Sequence, residues 1–407
     1  MHTIFPTNWS GPCATESAFG ISGVAGQPIR SIGILGAGLM GQSIALANAR
    51  QGVPVYVTDS SDEALDRAAV SLRQGAMPGW SPIHLTRSLT ELARADLFLE
   101  CIIEKLAAKQ KALRSTEILL SADAVMASNT SSIPISQLAT VLARPERFCG
   151  LHFCHPVSKR ALVEVVRGDQ TSDKTIAIAV EYVRAIGKTP IVVQDGPGFL
   201  LNRLLVLYLN EALELLLDGA TIAELESTAT AFGMPMGPIT QLDEFGIDVA
   251  LRVGAALLKA LPDRLVSSEL LVTLYQAGRL GVKSRAGFFR YDAQAGTPSP
   301  DPQIEEIIRQ QRRAILSFTP EAIMMRLLLP MLIEAVRMLE ERRIARLSDV
   351  DSALVSGIAF PHNGLLHWAA SMPPRRLLEA IQAHQSLGRR FEPTALLCRL
   401  VETQRLT

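Results

Sequence analysis

From Ser31 onward the chain alternates short apolar runs with longer amphipathic segments. Runs at Ser31–Leu35, Val53–Val57, Leu97–Ile102, Ala124–Ala127, Phe148–Phe153 and Ile191–Val193 are too short for helices and apolar almost throughout. Between them, Asp62–Gln74 and Asp173–Ile186 place apolar residues at helical spacing. Strands that are apolar on both faces must be covered on both, so the pattern predicts an α/β fold with a doubly wound, mostly parallel sheet. That block closes at the turn cluster Asp195-Gly196-Pro197-Gly198.

After Phe199 the strand signal stops, and Leu200–Leu217, Ile222–Phe232 and Val249–Leu261 read as helices. The stretch Asp292–Pro302 (DAQAGTPSPDP) is predicted to be a linker, and the helical pattern then resumes as a repeat of itself. Asn202–Leu217 (NRLLVLYLNEALELLL) aligns without gaps on Met325–Glu340 (MRLLLPMLIEAVRMLE), placing Glu211-Ala212 on Glu334-Ala335. FGMPMGP similarly resembles SGIAFPHNG around Gly357. The predicted organisation is an N-terminal arm (1–29, rich in Gly, Ser, Thr and Pro), a sheet domain (30–196), a helical domain (197–295) and a second, similar helical domain (303–407).

Charge and composition then narrow the possibilities. Forty Lys and Arg balance forty Asp and Glu, so no bulk field draws nucleic acid to the surface. Five cysteines (Cys13, Cys101, Cys149, Cys154, Cys398) are scattered without a C-x-x-C pair, which argues against a disulfide framework or a zinc knuckle and points to a reducing, cytoplasmic setting. No run approaches ~18 uninterrupted apolar residues, so no membrane span is expected.

Gly36-Ala37-Gly38-Leu39-Met40-Gly41 follows a strand and opens a helix, the context in which glycines let backbone N–H groups approach a pyrophosphate at a helix N-terminus. The next strand ends at Asp59, whose carboxylate suits a ribose 2′-hydroxyl and repels a 2′-phosphate; a helix N-cap role is the alternative. The pattern predicts a dinucleotide, NAD rather than NADP. In GLHFCHPVSKRALVEVVRG, His152 ends an apolar run and Glu164 follows on the next one. An imidazole can take a proton from an alcohol while a carboxylate fixes its tautomer.

These residues resemble the 3-hydroxyacyl-CoA dehydrogenase family over nearly everything from Ser31 onward. The resemblance implies a Rossmann-type NAD-binding domain and an active site of Ser131 (in Ala127-Ser128-Asn129-Thr130-Ser131-Ser132), His152, Glu164 and Asn202 (in Gly198-Phe199-Leu200-Leu201-Asn202-Arg203). It places Glu104 and Lys109 of ECIIEKLAAK near the nicotinamide and its ribose, and makes VKSRAGFFRY at 282–291 a closing segment. The tandem helical units are similar to those of multifunctional fatty-acid oxidation enzymes. The implied reaction is NAD-dependent interconversion of 3-hydroxyacyl and 3-oxoacyl thioesters. A non-catalytic protein on the same scaffold is the alternative that the four intact residues oppose. A dehydrogenase of free hydroxy acids would carry a lysine where Asn202 stands.

Two departures bear on the substrate. His155 replaces the Asn or Ser that usually precedes the proline in the family, beside the nicotinamide. Between Asp59 and Pro82, a lysine-rich hairpin gives way to Arg67, Arg73 and a short loop, a poorer site for the 3′-phosphate of CoA. The acyl carrier is therefore CoA or, preferred on this ground, an acyl carrier protein, as in relatives that oxidise short hydroxyacyl groups for polyketide extender units. Met325 stands where Asn202 would repeat, so one active site per chain and a monomer or weak homodimer are expected.

Overall fold

The computed structural model describes residues 28–292 and 298–407. The expected arm lies almost wholly outside the described residues, as does Cys13.

The sheet domain runs β1 (Ile32–Leu35), α1 (Leu39–Arg50), β2 (Val55–Thr58), α2 (Asp62–Gly75), β3 (Ile83–Leu85), α3 (Leu89–Leu92), β4 (Leu97–Glu100), α4 (Leu106–Glu117), β5 (Val125–Ser128), α5 (Ile135–Ala139), β6 (Phe148–Phe153), β7 (Leu162–Arg167), α6 (Asp173–Ala185) and β8 (Thr189–Gln194). The eight strands lie in the order β3-β2-β1-β4-β5-β6-β7-β8. All neighbours are parallel except β6 and β7, which pair antiparallel with His152 opposite Glu164. β1, β4, β5 and β6 are buried along their whole length, as apolar strands covered on both faces must be.

Helices follow: α7 (Leu201–Asp218), α8 (Ile222–Phe232), α9 (Pro238–Phe245), α10 (Ile247–Ala260) and α11 (Glu269–Gln276). The second set is α12 (Pro302–Gln311), α13 (Pro320–Glu340), α14 (Ser348–Ile358), α15 (Leu365–Ala370), α16 (Pro374–His384) and α17 (Ala395–Glu402). The expected linker is only partly one. Residues 293–297 lie outside the description, but β10 (Pro298–Pro300) pairs with β9 (Phe289–Tyr291), so strand structure does return after Phe199. Asp301 is buried and binds Arg279 (2.6 Å) and Arg290 (2.9 Å), which pins the start of α12. None of the described helices is long and apolar enough to cross a membrane.

The repeat read from sequence is a repeat in space. α8 and α14 have equal length, and each ends on a left-handed residue, Gly233 (φ 109°) or Ala359 (φ 56°). α7 and α13 pack against each other and exchange ion pairs reciprocally. Arg203 on α7 binds Glu334 (2.5 Å) and Glu341 (2.7 Å) of the other unit, while Arg326 on α13 binds Glu211 (3.1 Å) and Asp218 (2.7 Å). In the alignment Arg203 matches Arg326, Glu211 matches Glu334 and Asp218 matches Glu341. A second arginine joins each buried glutamate: Arg264 reaches Glu334 at 2.7 Å, and Arg390 binds Glu211. Each stands four residues before a helix N-cap, Ser268 or Thr394. Residue i touching j while j′ touches i′ is the signature of a two-fold contact, here closed within one chain.

Candidate active site

The glycine loop between β1 and α1 is shaped by close approaches that a side chain would block. Gly36 has φ +116°, and a Cβ there would stand 2.5 Å from the Cys101 carbonyl oxygen; a Cβ on Gly41 would stand 1.9 Å from the Gly36 oxygen. Gly38, by contrast, faces open space. The first turn of α1, at Leu39 and Met40, is left without a side-chain cap, so unpaired N–H groups stand at the positive end of the helix. These features fit a dinucleotide pyrophosphate.

Asp59 beside it is not the N-cap of α2, a role taken by Ser61, which accepts from the Ala64 N–H. Its carboxylate instead accepts from the Ala37 N–H (2.8 Å) and the Ser61 N–H (3.0 Å), so a fixed negative charge stands at the end of β2. A 2′-phosphate there would meet that charge with only Ser60 and Ser61 following it in the chain. Like-charge placement costs enough that kcat/KM with NAD should exceed that with NADP by roughly 100-fold. Equal values for the two cofactors in a steady-state assay would refute the role of Asp59.

Glu104 and Lys109 act as a buried frame. Lys109 is 1% exposed, and its Nζ lies 2.7 and 2.9 Å from the two oxygens of Glu100 and 3.3 Å from Glu104. With the Ile102 carbonyl also at 3.2 Å, its three N–H bonds are fully used, so this lysine acts on the loop of Ser131 only through Glu104. Glu104 accepts from the Thr130 hydroxyl (2.6 Å) and from the Ser131 and Ser132 N–H groups (3.0 Å each). Burial favours its neutral form, but the Lys109 charge and these hydrogen bonds outweigh burial and hold its pKa below the ordinary carboxylate value. The loop carrying Ser131 is thereby clamped.

His152 sits at the carboxyl end of β6, 7% exposed, with Nδ1 2.5 Å from Glu164 Oε2. Glu164 is fully buried, and its other oxygen accepts from the Leu200 (2.8 Å) and Leu201 (2.9 Å) N–H groups at the start of α7. One carboxylate thus orients the imidazole and ties the first helical unit to the sheet. Asn202, one residue further on, donates to the Ser131 carbonyl at 3.2 Å. Ser131, His152, Glu164 and Asn202 are therefore linked through two chains of contacts, Glu104–Ser131–Asn202 and His152–Glu164–α7.

His155 follows on the turn after β6, joined to Pro156 by a cis peptide bond. Burial pushes its pKa down first; Glu244 on α9 opposes this and Arg160 adds to it. Sequence reasoning passed over Asn129, whose Oδ1 accepts from the Phe153 N–H (2.9 Å) and fixes the end of β6 beside His152. A polar residue just past an apolar strand was the signal. It also passed over Asp243, which receives the Phe288 and Phe289 N–H groups and the Tyr291 hydroxyl at 2.9 Å each, holding the 282–291 segment against α9. Among the described residues no group of three or more His, Cys, Asp or Glu could hold a metal ion.

The second helical unit repeats α7 without the polar side chain of Asn202. At the equivalent first turns of α13, a groove of about 600 Å³ is lined by Phe232, Met324, Met325, Trp368 and Met372, with Met325 in the place of Asn202.

Comparison with known proteins agrees with this layout. Residues 31–196 match the NAD binding domain of 3-hydroxyacyl-CoA dehydrogenase, and the C-terminal domain of the same family matches twice, over 198–291 and 323–407. The crystal structure of (S)-3-hydroxybutyryl-CoA dehydrogenase PaaH1 from Ralstonia eutropha is 34% identical, covering 65% of this chain and 99% of that one, with a TM-score of 0.60. FadB2 of M. tuberculosis is 32% identical, covering 65% of this chain and 100% of that one, with a TM-score of 0.62. A 3-hydroxybutyryl-CoA dehydrogenase from Escherichia coli, at 23% identity, shares the fold over 93% of this chain and 99% of its own, with a TM-score of 0.79.

Proposed function

The chain belongs to the 3-hydroxyacyl-CoA dehydrogenase family of NAD-dependent enzymes, and we propose that His152 is the proton-transferring group of its reaction on a 3-hydroxyacyl thioester. The observation that carries this reading is the His152–Glu164 pair at the carboxyl edge of the sheet whose first strand leads into the glycine loop. With Nδ1–H donated to Glu164, Nε2 is free to take the proton of the 3-hydroxyl group. Glu164 stabilises the imidazolium that results. Ser131 and Asn202 orient the hydroxyl and thioester oxygens, so that much of the rate comes from position. Bound NAD, held at Gly36, Gly38, Gly41 and Asp59, would accept the hydride from C3.

The carrier of the acyl group is read from α2. It offers Arg67 and Arg73 against Asp62, Glu63 and Asp66, while the neighbouring Arg87 is taken up by Asp62 (2.5 Å) and Asp66 (3.7 Å). So little free positive charge suits a phosphopantetheine arm on an acyl carrier protein better than the extra 3′-phosphate of CoA. NADH formation measured with one acyl group on both carriers should give the higher kcat/KM on the carrier protein. A higher value with CoA would reverse the assignment.

A further inference from the structure

The hairpin between the two strands of the dyad carries a group that the proposed reaction does not use. β5 ends at Ser128, opposite Gly150, whereas β6 continues to Phe153 and β7 begins at Leu162. Residues 154–161 therefore overhang the carboxyl edge of the sheet, just beyond His152 and Glu164. On this overhang Arg160 is half-buried, and its Nε is enclosed without an acceptor.

Its main chain is fixed in place. The Arg160 N–H donates to the Pro156 carbonyl (3.1 Å), its own carbonyl accepts from Lys188 Nζ (2.7 Å), and the next residue donates to Ser356 of α14 (3.1 Å). Among the described residues the guanidinium has neither carboxylate nor carbonyl as partner. Other arginines with an enclosed, partnerless nitrogen differ. Arg167, Arg343 and Arg346 are tethered through another nitrogen to Asp173, the Asp195 carbonyl and Asp349, and Arg312 closes α12 in the helical part. Arg160 alone of this group combines a missing partner with a place beside the reacting pair.

A guanidinium does not give up its proton, so partial burial without an anion is a standing cost that a ligand can relieve. Burial accordingly pulls the Arg160 pKa down, and the nearby Cys154 thiol only partly opposes it. His155, on the same overhang, lies within the field of Arg160, and its imidazole carries an N–H to donate. Its other charged neighbour, Glu244, is exposed on α9.

We propose that Arg160 is a specificity residue that receives the distal carboxylate of a dicarboxylic 3-hydroxyacyl group, with His155 as a second donor. The inference rests on the reaction assigned to His152. Arg160 stands four residues before Glu164 on the hairpin that joins the two strands of the dyad, while the phosphates of CoA or of a carrier protein lie a whole pantetheine arm from the reacting carbon. The acyl chain is therefore the source of the anion.

The test compares 3-hydroxyglutaryl with 3-hydroxybutyryl thioesters, each on CoA and on N-acetylcysteamine, which has no phosphate. The wild-type enzyme should favour the glutaryl group on both carriers. Arg160→Met should raise its KM by about 10- to 100-fold with little change for the butyryl group, and Arg160→Lys should retain part of the preference. A loss that follows CoA rather than the acyl group would assign the anion to a phosphate and overturn the proposal, as would equal effects on all four substrates. Calorimetric titration of the NADH complex with the matching 3-oxoacyl thioesters reads the same contrast without turnover. Absence of turnover alone would thus count against His152 chemistry, while absence of differential binding counts against Arg160.

Discussion

Replacing His152 by alanine should lower kcat by about 10²- to 10⁴-fold, the usual worth of positioned proton transfer, while NAD binding measured by calorimetry stays near the wild-type value. Glu164→Gln should fall in the same range for a different reason. The two backbone N–H groups of Leu200 and Leu201 need an acceptor, so the glutamine oxygen turns toward α7 and its NH2 toward His152. Nδ1 must then accept, which puts the ring proton on Nε2 and removes the lone pair that would take the hydroxyl proton. The glutamine variant keeps the helix seated and loses only the tautomer, so it separates chemistry from folding. Alanine at 164 would remove both. Near-normal turnover of His152→Ala on an accepted thioester would show that the proton goes elsewhere.

The parts of this arrangement that were legible in the sequence are those with a short-range signature. All six apolar runs fall on strands to within two residues at each end, because strands buried on both faces leave no ambiguity of period. β3 went unread: Ile83-His84-Leu85 is a three-residue edge strand, half-exposed, following a proline-bounded loop. The burial of Lys109 was equally hidden. Its partner Glu100 ends a strand nine residues earlier, and nothing local distinguishes a lysine folded back onto a strand end from one in water. The glutamates of the repeat were visible as matched letters, but the crossing of Arg203 to Glu334 and Arg326 to Glu211 depends on two helices meeting across more than a hundred residues. In the stretch taken for a linker, proline and glycine content outweighed Asp301, whose two arginine partners lie upstream in the chain.

That crossing leads to the remaining large effect. α7 and α13 bury apolar faces whose exposure would cost about 25 cal/mol per Å², and at the centre of the contact are Arg203, Arg326, Glu211 and Glu334, all at most 4% exposed. Cutting the chain within 292–302 and discarding the C-terminal piece removes Glu334 and Arg326 together. Arg203 and Glu211 are then left as isolated charges on an uncovered apolar helix. Because the contact is two-fold in character, the exposed face of α7 is complementary to itself, as the faces of two identical chains would be. The 1–300 fragment should therefore self-associate or precipitate, whereas the full chain, with that face already covered from within, runs as a monomer or weak dimer with one active site. Light scattering on both proteins decides it: a soluble monomeric 1–300 fragment beside a tight full-length dimer would mean that the second unit does not serve as an internal partner. A gentler form of the same test is Glu334→Gln, which leaves Arg203 and Arg264 short of their shared carboxylate while keeping its volume. It should lower the unfolding midpoint in urea without changing the kcat of the folded fraction, because Glu334 binds Arg203 and Arg264 and not Ser131, His152, Glu164 or Asn202.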